Sequence, residues 1–96
     1  MHQLSESNNL LVLQYKSQDV AQIELELSSP LQDNESISCI VEGIPEGYTG
    51  KVGYANLTNT DIQVSIELEP AGSPDCELSV SLLRSTFNTP TFIEIN

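Results

Sequence analysis

The sequence predicts an all-β fold: an antiparallel β-sandwich of about seven strands with an immunoglobulin-like architecture, or a small closed β-barrel as the alternative. Apolar and polar residues alternate with a period of two in several runs, which places alternate side chains on opposite faces of a strand. Turn-forming residues separate these runs. No long window has the three- and four-residue apolar spacing of an amphipathic helix.

Seven strands are predicted, at residues 10–16, 20–28, 36–42, 50–57, 61–69, 75–84 and 91–95. The alternation is longest in 61–69, where every second residue from Ile62 to Leu68 is apolar. The runs 20–28, 36–42 and 75–84 repeat it. Turn-forming residues lie between the predicted strands, as in Ser28-Ser29-Pro30, Asn59-Thr60-Asp61, Pro70-Ala71-Gly72-Ser73-Pro74 and Asn88-Thr89-Pro90.

The 96 residues form one predicted domain, 10–96, preceded by a flexible polar leader at 1–9. The apolar phase of each strand supplies a core large enough for a domain of this size without a metal. The predicted core consists of Leu11, Leu13, Tyr15, Ile23, Leu25, Leu27, Ile37, Cys39, Val41, Val52, Tyr54, Ile62, Val64, Ile66, Leu68, Cys76, Leu78, Val80, Leu82, Ile93 and Ile95.

Both cysteines, Cys39 and Cys76, fall on the apolar phase of their strands and are expected to face the core. An inter-sheet disulfide is one interpretation, although the chain has no Trp to pack on such a bridge. Two buried free thiols are the favoured interpretation, because nothing in the sequence indicates an oxidising compartment.

The charge is strongly acidic, with 14 Asp and Glu against 3 Lys and Arg and a net charge of -11. Such a chain repels nucleic acid phosphates and anionic membranes, so direct binding to either is not expected. The expected partner is a protein, and a basic one fits the charge best. Acidity also serves solubility alone, which is the simpler explanation.

An enzyme is not expected. The only histidine, His2, lies in the predicted leader, and a Ser or Cys nucleophile would lack a neighbouring base. No phosphate-binding loop or other cofactor motif is present, so no cofactor is predicted. No metal site is predicted either, since two Cys and one His cannot complete a zinc site. The acidic loop clusters 33–35 and 59–61 would be weak calcium candidates at most.

Two groups of residues are candidate partner-binding sites. The first is an acidic sheet face: Glu24 and Glu26 form one row, and the predicted strands 61–69 and 75–84 are interpreted as a hairpin whose outer face brings together Glu67, Glu69, Asp75 and Glu77. The simpler explanation of such i,i+2 carboxylates is a solvated face. The second group is Ile44 and Tyr48 in the loop 43–50, which either contact a partner or cap the core.

Two functions remain in view. One is a small acidic inhibitor or adaptor that docks onto a basic, nucleic-acid-binding protein, as acidic inhibitors made by phages do. The other is a structural or adhesion module of a virion, cell surface or extracellular assembly. A native start at Met1 would favour the cytoplasm, since residues 1–9 do not resemble a secretory signal, whereas a processed start would leave an extracellular location open.

Overall fold

The structure is a computed structural model that describes residues 2–17 and 19–86. These residues form an all-β fold with no α-helix. They contain no helical segment that could cross a bilayer. The strands are β1 (His2–Ser5), β2 (Leu11–Tyr15), β3 (Ala21–Glu26), β4 (Glu35–Glu42), β5 (Thr49–Asn56), β6 (Asp61–Glu69) and β7 (Cys76–Thr86).

The strands are arranged in two sheets. The first sheet has the order β1-β3-β6-β5 and the second has the order β2-β7-β4. All pairings are antiparallel except that of β1 with β3, which is parallel. In the described part of the chain β1 and β5 are the edges of the first sheet and β2 and β4 are the edges of the second, so no closed barrel forms.

The two sheets share one hydrophobic core, built from the apolar phase of every strand but β5, which adds the half-buried Val52. The first sheet contributes Ile23, Val64 and Ile66 with no exposed surface, and the second contributes Cys39, Leu78 and Val80 in the same state. Burying each of the larger aliphatic side chains stabilises the fold by about 1.5–3 kcal/mol before entropy is subtracted. The predicted period-two phase is therefore the phase that turns inward.

Six predicted strands are confirmed, each with ends within two residues of those observed. The predicted strand 91–95, with Ile93 and Ile95, lies outside the described residues. The structure differs from the prediction at the N-terminus, where residues 2–5 of the predicted leader form β1. Leu4 of this strand is 2% exposed and belongs to the core. A single apolar residue in a four-residue strand leaves no alternation to detect.

Tyr54 is the one described residue of the predicted core that is exposed, at 42%. It lies on β5, at the edge of the first sheet, and its hydroxyl accepts a hydrogen bond of 3.1 Å from the backbone N–H of Cys39 on β4. Partial burial raises the pKa of Tyr54 to about 12. The side chain thus links the edges of the two sheets instead of filling the space between them.

Both cysteines are free thiols. They lie in the same sheet, because Cys39 of β4 pairs with Leu82, and Cys76 lies six residues earlier than Leu82 on β7. At a rise of about 3.3 Å per residue this separation is roughly 20 Å, far beyond the reach of a disulfide. Burial raises the pKa of the Cys39 thiol, so it behaves as a small apolar core residue.

Gly43 ends β4 in a conformation that disfavours any other residue. Its φ is 95°, and an added Cβ would collide with the backbone carbonyl oxygen of Glu77 on β7. Gly47 has a similar φ of 87° but open space around its Cα.

We expect Gly43→Ala to destabilise the fold more than Gly47→Ala. Backbone strain alone costs about 1 kcal/mol at either position, and the collision adds at least about 1 kcal/mol at Gly43. Urea denaturation of both variants measures the difference. Equal losses of unfolding free energy would show that the close approach of Gly43 to β7 is not present.

Candidate interaction face

The outer surface of the first sheet carries most of the candidate acidic residues. We define the acidic face as Glu24, Glu26, Asp61, Glu67 and Glu69. The first two lie on the outward phase of β3 and the other three on the outward phase of β6, which is its neighbour. Glu24, Glu26 and Asp61 cluster at one end of the β3–β6 pair, and Glu67 and Glu69 lie beyond its other end, with Gln63 and Ser65 between the two groups.

The pairing register places the charges within this face. Glu26 lies opposite Asp61, and Glu24 lies opposite Gln63. Like charges on opposing residues cost stability, and part of that cost is relieved because Asp61 accepts a 3.0 Å hydrogen bond from the Thr58 hydroxyl. Glu24, Glu26 and Glu67 form no ion pair with any described residue.

One basic residue lies on the same surface. Lys51 of β5 is opposite Glu67 in the register, and its Nζ is 4.0 Å from Oε1 of Glu69. Both side chains are more than half exposed, so this ion pair stabilises the fold little. The acidic face therefore keeps a net negative charge.

The predicted hairpin between 61–69 and 75–84 is wrong. β6 belongs to the first sheet and β7 to the second, so the segment 70–75 crosses between sheets. This crossing contains Ser73, which is only 2% exposed. Glu67 and Glu69 are consequently separated from Asp75 and Glu77, which do not belong to the acidic face.

Asp75 and Glu77 make local contacts at the β2 side of the second sheet. Asp75 accepts a 2.8 Å hydrogen bond from the Ser17 N–H, and its carboxylate is 3.6 Å from Nζ of Lys16. Glu77 accepts a 3.0 Å hydrogen bond from the Gln14 side chain on β2.

Ile44 and Tyr48 lie in the connection between β4 and β5, which also crosses between the sheets. Ile44 is half-buried and packs against the core, and its Cδ1 lies where a Cβ on Gly50 would be in close contact. Tyr48 is half-buried, and its N–H donates to the Pro45 carbonyl at 3.1 Å. Ile44 thus caps the core; partner contact by either residue stays a prediction.

A shallow depression of about 320 Å³ lies on the outer side of the first sheet. Gly53, Ala55 and Ser65 form its floor because they have short side chains, and Gln22 and Gln63 border it. These two glutamines are joined by a 2.9 Å hydrogen bond. Sequence reasoning missed this depression, since it depends on three strands lying side by side. Asp61 is predicted from the sequence on the same outward phase as Glu67 and Glu69, and the structure places it opposite Glu26.

The only arginine is used internally. The Arg84 guanidinium donates five hydrogen bonds of 2.7–3.1 Å, to the carboxylates of Glu6 and Glu35 and to the carbonyls of Ser29 and Pro30. This network joins β7 to the segments that follow β1 and β3, and the Arg84 side chain is only 14% exposed. Arg84 therefore supplies no positive charge to the acidic face.

The Arg84 network lowers two carboxyl pKa values. Hydrogen bonds from Arg84, and then from the Gln32 N–H, lower the pKa of Glu35. The Ser28 N–H, assisted by Arg84, lowers the pKa of Glu6.

The acidic loops 33–35 and 59–61 do not form a metal site in the described part of the chain, which contains no group of three or more His, Cys, Asp or Glu placed to hold a metal. Glu35 of the 33–35 cluster is held by Arg84 instead.

Comparison with known proteins found no match to a family model, to a curated protein or to a solved structure.

We expect Arg84→Met to lower the free energy of unfolding at pH 7 and to lower it less as the pH falls below 4.5, although the bonds from Arg84 to the Ser29 and Pro30 carbonyls do not titrate. A depressed carboxyl pKa stabilises the fold above the ordinary value of 4.5, and this contribution disappears as the pH falls below 4.5 through the lowered pKa values. Denaturant unfolding across this pH range measures it.

Lys16→Met is the matched control, since its pair with Asp75 is exposed and contributes little at any pH. Parallel pH profiles for Arg84→Met and the unmodified chain would contradict the role of Arg84 as the main cause of the lowered pKa of Glu35 and a contributing cause at Glu6.

Proposed function

We propose that this chain is a non-enzymatic protein-interaction module, a two-sheet domain of the immunoglobulin-like sandwich type, that binds a basic protein partner through its acidic face. The observation that carries the proposal is the outer surface of the first sheet, where Glu24, Glu26 and Glu67 have no ion-pair partner among the described residues. Arg84 and Lys16 form their ion pairs elsewhere in the domain.

The physical basis is charge complementarity. A net charge of -11 on 96 residues accelerates encounter with a positively charged surface and repels acidic competitors. Because the acidic residues alternate with buried ones on paired strands, the carboxylates are held on a rigid support. A rigid negative surface suits an inhibitor or adaptor that occupies the basic groove of a nucleic-acid-binding protein.

A second candidate is a structural or adhesion module of a virion, cell surface or extracellular assembly. The observation that favours it is the outer surface of the second sheet, where Val12 is 51% and Leu83 is 50% exposed, with Leu10 beside them at 61%. Aliphatic residues on one sheet surface suit packing against another subunit. Association through this surface would be insensitive to salt.

We expect the triple variant Glu24→Gln, Glu26→Gln, Glu67→Gln to weaken partner capture from a lysate of the source cell or its host by about tenfold at low salt. Raising the salt from about 50 to about 500 mM is expected to reduce capture by the unmodified chain in the same way, because screening shortens the range of the interaction. Quantitative capture followed by mass spectrometry measures both effects on the same partner.

The matched control is Asp33→Asn, Glu42→Gln, Glu46→Gln, which removes the same number of charges outside the acidic face. Equal effects of the two triple variants would show that only total charge matters. A partner whose capture is indifferent to salt and to the first variant would contradict the proposal and favour the assembly function.

A further inference from the structure

β5 is an edge strand in which Lys51 is the one residue of a usual protective type. It has eight residues, lies at one edge of the first sheet and pairs only with β6 in the described part of the chain. Its register with β6 is continuous from Thr49 to Asn56, so no bulge interrupts it, and it contains no proline. Natural edge strands are commonly shortened, bulged, interrupted by proline or given charged residues such as lysine to prevent pairing with another chain, and of these devices β5 has only Lys51.

The register shows which backbone groups of β5 face the open edge. The Leu57 N–H donates to the Asp61 carbonyl at 2.9 Å, which makes this a hydrogen-bonded pair. Hydrogen-bonded and non-bonded pairs alternate in antiparallel strands, so the odd-numbered residues of β5 bond to β6. The N–H and C=O groups of Gly50, Val52, Tyr54 and Asn56 therefore point away from the sheet.

The other edge strands of the described residues, β1, β2 and β4, have fewer backbone groups free to pair with an added strand. β1 and β2 have only four and five residues. On β4 the outward N–H of Cys39 is already bonded to the Tyr54 hydroxyl. Among the strands that the structure describes, β5 is thus the edge with the longest uninterrupted set of backbone groups without a partner.

The outer side of this edge favours long cationic side chains on an added strand. Gly53 and Ala55 are the outermost residues there, and their short side chains open the 320 Å³ depression toward Gln63. A lysine or arginine next to them can extend across the depression toward Glu24, which lies beside Gln63. Lys51 is drawn toward Glu69, at 4.0 Å, which leaves the 53–56 end of the strand for these cations.

The inner side favours apolar residues. Val52 is half-buried against the core, and Tyr54 is 42% exposed at the gap between the edges of the two sheets. An added strand would place alternate side chains over this apolar margin and the others over the depression.

We propose that β5 accepts an extended segment of the partner, in which Lys or Arg alternates with apolar residues, as an additional strand of the first sheet. This inference rests on the proposed function, since the acidic face supplies the selectivity for the basic residues. The backbone of β5 supplies the pairing groups.

The test uses the whole chain and an acetylated, amidated peptide, Lys-Val-Arg-Val-Lys-Val-Arg-Gly, titrated at low salt by calorimetry. Two further peptides carry N-methyl groups, one on the valines and one on the basic residues. Only alternate N–H groups of an added strand face its neighbour. We therefore expect one methylated peptide to lose at least about tenfold in affinity and the other to bind like the parent.

Two sets of variants test the side chains. Ala55→Leu, which fills the depression, and the triple variant Glu24→Gln, Glu26→Gln, Glu67→Gln are each expected to weaken the parent peptide several-fold. The triple variant at Asp33, Glu42 and Glu46 is the control and is expected to bind like the unmodified chain.

The outcomes separate the two proposals. If both methylated peptides bind like the parent while the acidic-face variant weakens all three, the peptide lies on the face without strand pairing; strand addition is then wrong and the proposed function stands. If one methylated peptide loses affinity but the acidic-face variant has no effect, the basic selectivity and the proposed function are wrong. A parent peptide that fails to bind at millimolar concentration, or a chain already dimeric through β5 by sedimentation equilibrium, overturns strand addition by a basic partner.

Discussion

The two sheets depend on one apolar core that neither could bury alone. Period-two alternation gives each strand an apolar side, and removing both sets of apolar sides from water requires the sheets to share their interior. This constraint decides the position of nearly every other side chain. Residues between the buried ones point outward, so the carboxylates of β3 and β6 gather on the outer surface of the first sheet.

Two separate sheets have edge strands, and in the described residues these edges differ in how many of their backbone groups have partners. Tyr54 extends from β5 to the Cys39 N–H of β4, so one side chain satisfies a backbone donor of the opposite sheet. Tyr15 has a comparable role elsewhere: its buried hydroxyl accepts from the Leu68 N–H and donates to the Asp19 carbonyl. Arg84 fixes the connecting segments near the end of β7. The outward N–H and C=O groups of β5 have no strand partner in the described part of the chain, and β5 lies beside β6 of the acidic face.

The sequence predicts what depends on local pattern. Alternation identifies six strands and the inward residues, because a buried phase is visible in a single segment. It does not identify which strands become neighbours. Glu24, Glu26 and Glu67 are correctly placed on outward phases, whereas Asp75 and Glu77 were wrongly joined to them, because a short turn between runs predicts a hairpin and the 70–75 segment instead crosses between sheets. β1 forms by parallel pairing with β3, which is distant in sequence, and its four residues are too few to show an alternating pattern.

Within the described residues β5 is an open edge whose even-numbered residues face away from β6. Amide hydrogen exchange of the free chain, followed residue by residue by NMR, tests it most directly. We expect slow exchange for the amides that bond to β6, namely Lys51, Gly53 and Ala55, and fast exchange for Val52, Tyr54 and Asn56. Equal protection of both sets would show that β5 is already paired on its outward side and is not an open edge.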